Sequence, residues 1–383
     1  MKEIAVKWAR IVVGALFIVS GLIKANDTVG FGYKLEEYFD VFHIPVLGNF
    51  ATAIAMILCT IEIVLGALLL FGFWSRKVTP ALLGTIIFFT LLTFVSAVFK
   101  VVTSCGCFGD AIPLTPWQSF IKDLILLVLI VFLYRCKDRI KPAISSRKTQ
   151  LSITALIIVL SFLFSQYTYN ALPVVDFLPY KVGANIPALM KIPEGEKPDE
   201  YQIFYNLKNK ATGETKAMND QEYLKSGIWK DNNWGIVGTP DRRLVKVGYD
   251  VKIKDLNISD AAGTDYTREL IENPYYNLVV VAYDLKHTDL DAIAELNGIA
   301  LKAAEQYNIR TVLLTSNSSQ DAEAFTQQNK LLMEIFYADA VPLKSMVRAN
   351  PGVLLLKNGV IINKWHYHKM PSFEELTKEY FNK

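Results

Sequence analysis

The chain has 383 residues, 52% of them hydrophobic and only 20% charged, with a formal net charge of +3. That length allows two or three domains, and the composition is too apolar for a protein held wholly in water. The near-neutral balance, with no basic patch interleaved with aromatic residues, argues against a nucleic-acid binder. Almost all the long apolar runs lie before Tyr169 and most of the charges after it, so the two halves are built for different solvents.

Five segments are apolar and long enough to cross a hydrocarbon core of about 30 Å, which takes about 20 helical residues. They are Val6 to Ile23, Thr52 to Phe73, Pro80 to Phe99, Phe120 to Tyr134 and Leu151 to Tyr167. The fourth is the shortest, and either extends back through Trp117 or sits in a thinned bilayer. A basic start followed by an apolar stretch also describes a signal peptide. Ile23-Lys24-Ala25 lacks small residues at both cleavage-determining positions, so the first segment is expected to stay as a span.

Basic residues set the orientation. Lys2, Lys7 and Arg10, then Arg76 and Lys77, then the run from Arg135 to Lys148 share one side of a five-span thread. The positive-inside rule puts that side in the cytoplasm. The expected protein therefore sits in the cell inner membrane, with its N-terminus cytoplasmic and its C-terminal half extracytoplasmic. The segments Lys24 to Phe50 and Lys100 to Ser119 are expected to be external loops.

Cysteine occurs at four positions: Cys59 inside the second span, Cys105 and Cys107 after the third, and Cys136 at the end of the fourth. The outer half has none and holds no thiol redox site of its own. Cys105 and Cys107 are separated by one glycine, and an extended backbone would hold their Cα atoms near the upper limit for a disulfide. Gly106 removes the Cβ that would resist a sharp bend. A bridge closed there would be strained and suited to exchange. A permanent bridge, a pair of packed free thiols and a two-thiolate metal site are the other readings. For zinc, two thiolates form an incomplete ligand set.

Glu62 lies near the middle of the second span, with Cys59 one helical turn earlier on the same face. A carboxylate at that depth costs at least a few kcal/mol, so it should face the bundle, protonated or paired. Lys24, Lys100 and Asn26 are nearby at the outer ends of spans. The group either fixes packing by an interhelical hydrogen bond or handles protons beside a quinone or another apolar ligand. Cys59 alone reads as a small buried hydrophobe.

Ser20-Gly21-Leu22-Ile23-Lys24-Ala25, Gly30-Phe31, the run Ile61 to Leu70, Cys105-Gly106-Cys107-Phe108-Gly109, Trp117 and Lys122-Asp123-Leu124 together resemble the DoxX-like membrane family, in its MauE branch, named for methylamine utilisation. The resemblance spans nearly all of residues 1–135. It implies a four-helix membrane core that supports thiol–disulfide chemistry of exported proteins, which makes exported thiol proteins or thioredoxin-like proteins the candidate partners beside the lipid bilayer. A quinone is the candidate cofactor, near Cys59, Glu62 and Lys24.

Residues 136–170 hold a basic cytoplasmic loop and the fifth span, and 171–247 a proline-containing linker, Leu172 to Pro198, and a small β-rich part. There, Tyr201 to Leu207 and Thr215 to Met218 flank Ala211-Thr212-Gly213 as a hairpin. From 248 to 383, strands at Leu278 to Tyr283, Thr311 to Thr315 and Gly352 to Leu356 alternate with helices at Leu290 to Tyr307, Gln320 to Asn329 and Ser372 to Tyr380. That alternation gives an α/β layer. It resembles the thioredoxin-like fold, with Ile253-Lys254-Asp255-Leu256 and Asp260, Gly263 and Asp265 as the opening strand and turn. Pro351, ahead of a β-hairpin, is the candidate cis-proline. Where thioredoxins place two cysteines, this chain reads Asp284-Leu285-Lys286-His287-Thr288-Asp289, without a thiol. His287 is expected to be solvated. His366 and His368, two apart, are expected on an exposed strand face. The fold expected overall is a membrane α-helical bundle of five spans plus an extracytoplasmic α/β thioredoxin-like domain. The residue pattern leaves open a redox relay through Cys105 and Cys107 and a non-enzymatic anchored docking or assembly protein.

Overall fold

The computed structural model describes residues 2–99, 106 and 108–382. Lys100, Cys105 and Cys107, on which expectations were placed above, lie outside the described residues. Two compact units are present: residues 1–183 with 257–383, and residues 184–256.

In the first unit, the chain begins with α1 (Lys2–Asn26), followed by α2 (Thr28–Val41), α3 (Ala51–Phe71), α4 (Ser75–Phe99), α5 (Pro116–Arg135) and α6 (Arg147–Tyr169). All of these except α2 are long and apolar enough to cross a membrane, and each expected span falls on one of them. The fourth does extend back past Trp117, because Thr115 caps α5 in a capping box with Gln118 and Pro116 takes the first helical position. Val13, Phe17, Leu69, Leu82, Ile86, Ile130 and Leu133 from α1, α3, α4 and α5, with Phe73 from the turn after α3, form one apolar core. Ile57, Phe88, Leu91, Ile125, Val128 and Leu160 are each more than half exposed and supply the lipid-facing belt.

The segment between the first two spans is a helix, not a loop. α2 is capped by Asp27, whose side chain accepts from Gly30 N, and it buries Phe31, Leu35 and Tyr38 while keeping Lys34, Glu36 and Glu37 on its other side. After α6, the chain is pinned. Asn26 exchanges two hydrogen bonds with Val175, at 2.8 and 2.9 Å, and Gly183 N donates to Ile361 O at 2.8 Å.

The second unit opens with α7 (Ile186–Leu189). Strand β1 (Glu200–Asn209) then pairs antiparallel with β2 (Thr215–Asn219) on one side and with β3 (Trp234–Ile236) and β4 (Asp241–Lys246) on the other. The expected hairpin is the β1–β2 pair, and α8 (Asp220–Ser226) follows it. Ile253-Lys254-Asp255-Leu256 is not a strand, which corrects the opening-strand expectation. Ile253 and Leu256 are buried, and Ile253 N bonds to Leu189 O of α7 instead of a ladder partner.

Returning to the first unit, Ser259 makes isolated bridges to Asp265 and Tyr337. α9 (Thr267–Ile271) leads into β5 (Tyr276–Val281), α10 (Leu290–Tyr307), β6 (Arg310–Thr315), α11 (Ser319–Asn329), β7 (Glu334–Tyr337), α12 (Ala340–Met346), β8 (Gly352–Lys357), β9 (Val360–His366) and α13 (Phe373–Leu376). The sheet runs β7-β6-β5-β8-β9, parallel through β5 and antiparallel beyond it, as a thioredoxin-like layer requires. β5 and β8 are buried almost throughout, as central strands covered on both faces are. α10 starts on the Asp289 cap and buries Ile293, Leu296, Ile299, Ala300 and Ala303 at helical spacing. The last helix is shorter than expected: α13 stops at Leu376 and passes into a π turn over Thr377–Phe381.

His366 ends β9 and is buried at 4% exposure, while His368 lies in a separate 3-10 turn, so the expected exposed pair on one strand face is overturned. The two rings stack instead, with centroids 4.9 Å apart. Burial, then the neighbouring His368, holds the His366 pKa down to about 4. The folded domain therefore keeps His366 neutral, whereas the unfolded chain takes up a proton below about 6.5. Stability is expected to fall as the pH drops from about 6.5 to about 4, by up to about 3 kcal/mol from this group. Thermal unfolding of the wild type and of His366→Gln across that range checks it, since the variant should lose that part of the slope.

Candidate functional site

The bundle is built around a buried ion pair. Ser20 and Lys24 stand one turn apart on α1, and both reach Glu62 of α3. Lys24 Nζ donates to Oε1 at 2.5 Å and Ser20 Oγ to Oε2 at 3.0 Å. The Lys24 and Glu62 side chains are 4% and 3% exposed. Small residues let the two helices approach: a Cβ on Gly21 would sit 2.7 Å from Ile63 Cγ1 and 3.1 Å from Cys59 O, and one on Gly14 would meet Leu70. The ammonium also lies over the rings of Phe31 and Phe89, 5.2 and 4.7 Å from their centroids, which offsets part of its desolvation. Cys59 is fully buried among Ala25, Phe31, Leu35, Ala55 and Ile63, and packs as an apolar residue.

A second pair, of a half-buried lysine and a buried aspartate, faces the first. Lys122 Nζ lies 2.9 Å from Asp123 Oδ1, Thr93 Oγ1 donates to Asp123 Oδ2 at 3.1 Å, and the Lys122 ammonium lies 5.0 Å from the centroid of Phe108. Between the pairs is a pocket of about 30 Å³ that Ser20, Lys24, Glu62, Lys122 and Asp123 line. That volume holds one or two waters. A quinone ring does not fit it, and Cys59 does not line it.

Lys24 also borders a larger cavity, of about 570 Å³, at the end of the bundle that carries the α/β domain. Gly106 lines it too, with φ +64°, a backbone state that favours glycine, in a turn where Gly109 N donates to Gly106 O at 3.1 Å. Asp27, Tyr33 and Asp110 are among the residues that the bundle supplies to the wall, and Lys344 and Arg348 among those from the α/β domain.

Arg348 is the knot of this wall. Its Nε meets both oxygens of Asp27 at 3.1 and 2.9 Å, Nη2 donates to Asp110 Oδ2 at 2.9 Å, and Nη1 donates to Lys344 O at 2.5 Å. Burial works against its charge, and Asp27 and then Asp110 outweigh it, so its pKa stands above the ordinary value. Beside it, Tyr33 Oη donates to Tyr283 Oη at 2.8 Å, with the rings edge to face. Burial, then Tyr283, raises the Tyr33 pKa well above its usual range.

The Asn350–Pro351 bond is cis. Asn350 Nδ2 donates to Asp284 O at 2.7 Å, joining the proline loop to the stretch where thioredoxins place their cysteines. His287 in that stretch is exposed and meets Asp284 Oδ2 at 2.7 Å. A third tie joins Lys364 of β9 to Asp176 Oδ2 at 2.5 Å. Burial lowers the Lys364 pKa, and Asp176 opposes the shift.

The structure thus brings Lys24 and Glu62 together, seats Gly106 on the cavity that Lys24 borders, and leaves Cys59 apart. Sequence reasoning had quoted Lys122 and Asp123 only as part of the family resemblance, without their pairing, and had not foreseen the Arg348 clamp. An adjacent lysine and aspartate at the start of an apolar span were the available signal for the first.

A five-span helical bundle with ion pairs inside it and an α/β domain seated on one end defines a membrane protein. Residues 2–135 match the family model described as methylamine utilisation protein MauE, a region that ends with α5 and contains both ion pairs and Gly106. The chain is 32% identical over 130 residues to the protein TlpB of Flavobacterium psychrophilum, an alignment that covers 33% of this chain and 35% of that protein. It therefore spans about a third of the length of the curated relative that it matches.

Proposed function

We propose that the protein performs thiol–disulfide exchange with exported proteins through Cys105 and Cys107, at the extracytoplasmic face of the inner membrane. The observation that carries the reading is Gly106, bent at φ +64° between the two cysteines and lining the large cavity. Such a bend is what two cysteines one residue apart need in order to pair. In the exchange, a thiolate of an exported dithiol protein attacks the Cys105–Cys107 bridge. One S–S bond breaks and a mixed disulfide forms. The partner's second thiolate then displaces the bound cysteine, so the partner leaves oxidised and the pair is left as two thiols. Two electrons and two protons pass to the pair, and Lys24, which borders the cavity, together with Glu62, to which it is bonded, is the candidate group for proton handling.

A second reading, a non-enzymatic anchored docking or assembly protein with a structural Cys-Gly-Cys loop, draws on the thiol-free stretch Asp284 to Asp289. Thiol alkylation of membranes equilibrated across a series of thiol buffers separates the two. Exchange requires a potential well above the roughly −300 mV of structural disulfides. A bridge that resists reduction throughout, or thiols that never pair, leaves the docking reading.

A further inference from the structure

We infer that the turn between α2 and α3, residues 42–50, is seated in the membrane interface, so that the lipid bilayer holds the helix on which the α/β domain rests. α2 ends in a fixed turn. His43 takes a left-handed φ of +57°, its N donates to Asp40 O at 3.0 Å, and Ile44 N donates to Phe39 O at 2.8 Å, which closes the helix as a Schellman motif. Pro45 then opens a 3-10 turn, Pro45–Phe50, that leads straight into α3. None of its six residues is buried. Phe42, Ile44, Val46, Leu47 and Phe50 are all exposed, Val46 at 72% and Phe50 at 58%.

So many large apolar residues in so short a turn would be a liability in water, and lipid is what covers them. α3 alone has 21 residues, roughly 31 Å at about 1.5 Å each, which already matches a hydrocarbon core of about 30 Å. With the 3-10 turn the apolar helix runs to 27 residues, Pro45–Phe71, at a mean hydropathy of 2.6, so the turn falls at the boundary of the core, in the interfacial layer. Phe50 precedes Ile57 and Ile61, both exposed on α3, at a spacing that keeps the three on one helical stripe. The turn therefore continues the lipid-facing belt past the end of the span. At the same end of the neighbouring spans stand Phe99 and Trp117, both more than half exposed, as aromatic residues do at a membrane boundary.

Charge decides the kind of lipid. Residues 42–50 include no lysine, arginine, aspartate or glutamate, and the end of α2 just before them carries Glu36, Glu37 and Asp40. An anionic headgroup finds no fixed cation in the turn. Insertion rests on apolar contact, and a zwitterionic bilayer suffices for it. The same helix carries the seat of the α/β domain: Asp27 at its cap bonds Arg348, Tyr33 bonds Tyr283, and Glu36 pairs with Lys344 at 3.5 Å. With α2 tied to the domain along one side and ending in lipid, the membrane surface sets the height at which the domain stands.

The test uses the full-length protein, one copy per phosphatidylcholine nanodisc, with a trace of phosphatidylcholine that carries a diazirine in the upper part of its acyl chain. After irradiation, mass spectrometry reads the adducts. Residues 42–50 should carry them at a level within about threefold of Ile57. Tyr275, 76% exposed at the end of β5 away from Tyr283, should carry at least about tenfold fewer. Replacing about a third of the lipid with phosphatidylglycerol should leave that ratio unchanged. The double variant Val46→Asp/Leu47→Asp, at two exposed positions, should cut the adducts on Phe42 and Phe50 at least about fivefold and spare those on Ile57. Adducts on the turn that stay at the level of Tyr275, or that the two aspartates leave unmoved, overturn the seating in lipid. Adducts that require phosphatidylglycerol overturn it in favour of headgroup attraction, and adducts that vanish when two copies share a nanodisc overturn it in favour of a contact between copies.

Discussion

Replacing Glu62 with alanine is expected to strand the Lys24 ammonium in the bundle and to destabilise the membrane half by about 3–5 kcal/mol. That is a large share of the stability of an ordinary domain. The cost comes from the unpaired charge more than from the lost bond, so the double variant Lys24→Met/Glu62→Leu, apolar and similar in volume, should return to within about 1–2 kcal/mol of the wild type. Thermal unfolding in nanodiscs measures all three. Cys105–Cys107 exchange followed in the same samples divides packing from chemistry. A double variant that regains stability but not exchange supports proton handling by the pair. Recovery of both would reduce the pair to a device for holding α1 against α3.

Gly30→Ala should have the next largest effect. The added methyl meets the Asp27 carboxylate and the Arg348 guanidinium, groups that the surrounding bonds hold in place. Overpacking of this kind costs about 1–3 kcal/mol. The loss should appear as tenfold or faster hydrogen exchange in α2 and in residues 344–351, with the far strands β6 and β7 unchanged. Equal exchange in α2 would mean that the clamp does not seat that helix.

Hydropathy made the five spans legible because lipid demands length and apolarity from each of them separately. α2 escaped the same reading. Lys34, Glu36, Glu37 and Asp40 lower its hydropathy, and its apolar side has meaning only against α3 and α6. The strands β5, β6 and β8 stood out as short, fully apolar runs, while β7, four residues at a sheet edge, and α12, with a proline at its third position, carry weak local signals. At the site, Glu62 was legible because a carboxylate in a span is costly wherever it points. Its partner was visible only as a residue near the outer end of another span, and Arg348 not at all, since an arginine ahead of a proline loop looks like any surface cation. His366 failed for the same reason: a strand residue near the end of a sheet reads as exposed until the chain that covers it is known.

Asp27 and Arg348 stand 321 positions apart in the chain. At usual rates of synthesis, the interval between them is on the order of tens of seconds. The bond between them therefore cannot form until most of the α/β domain has been made, so the start of α2 gains its guanidinium partner late in synthesis.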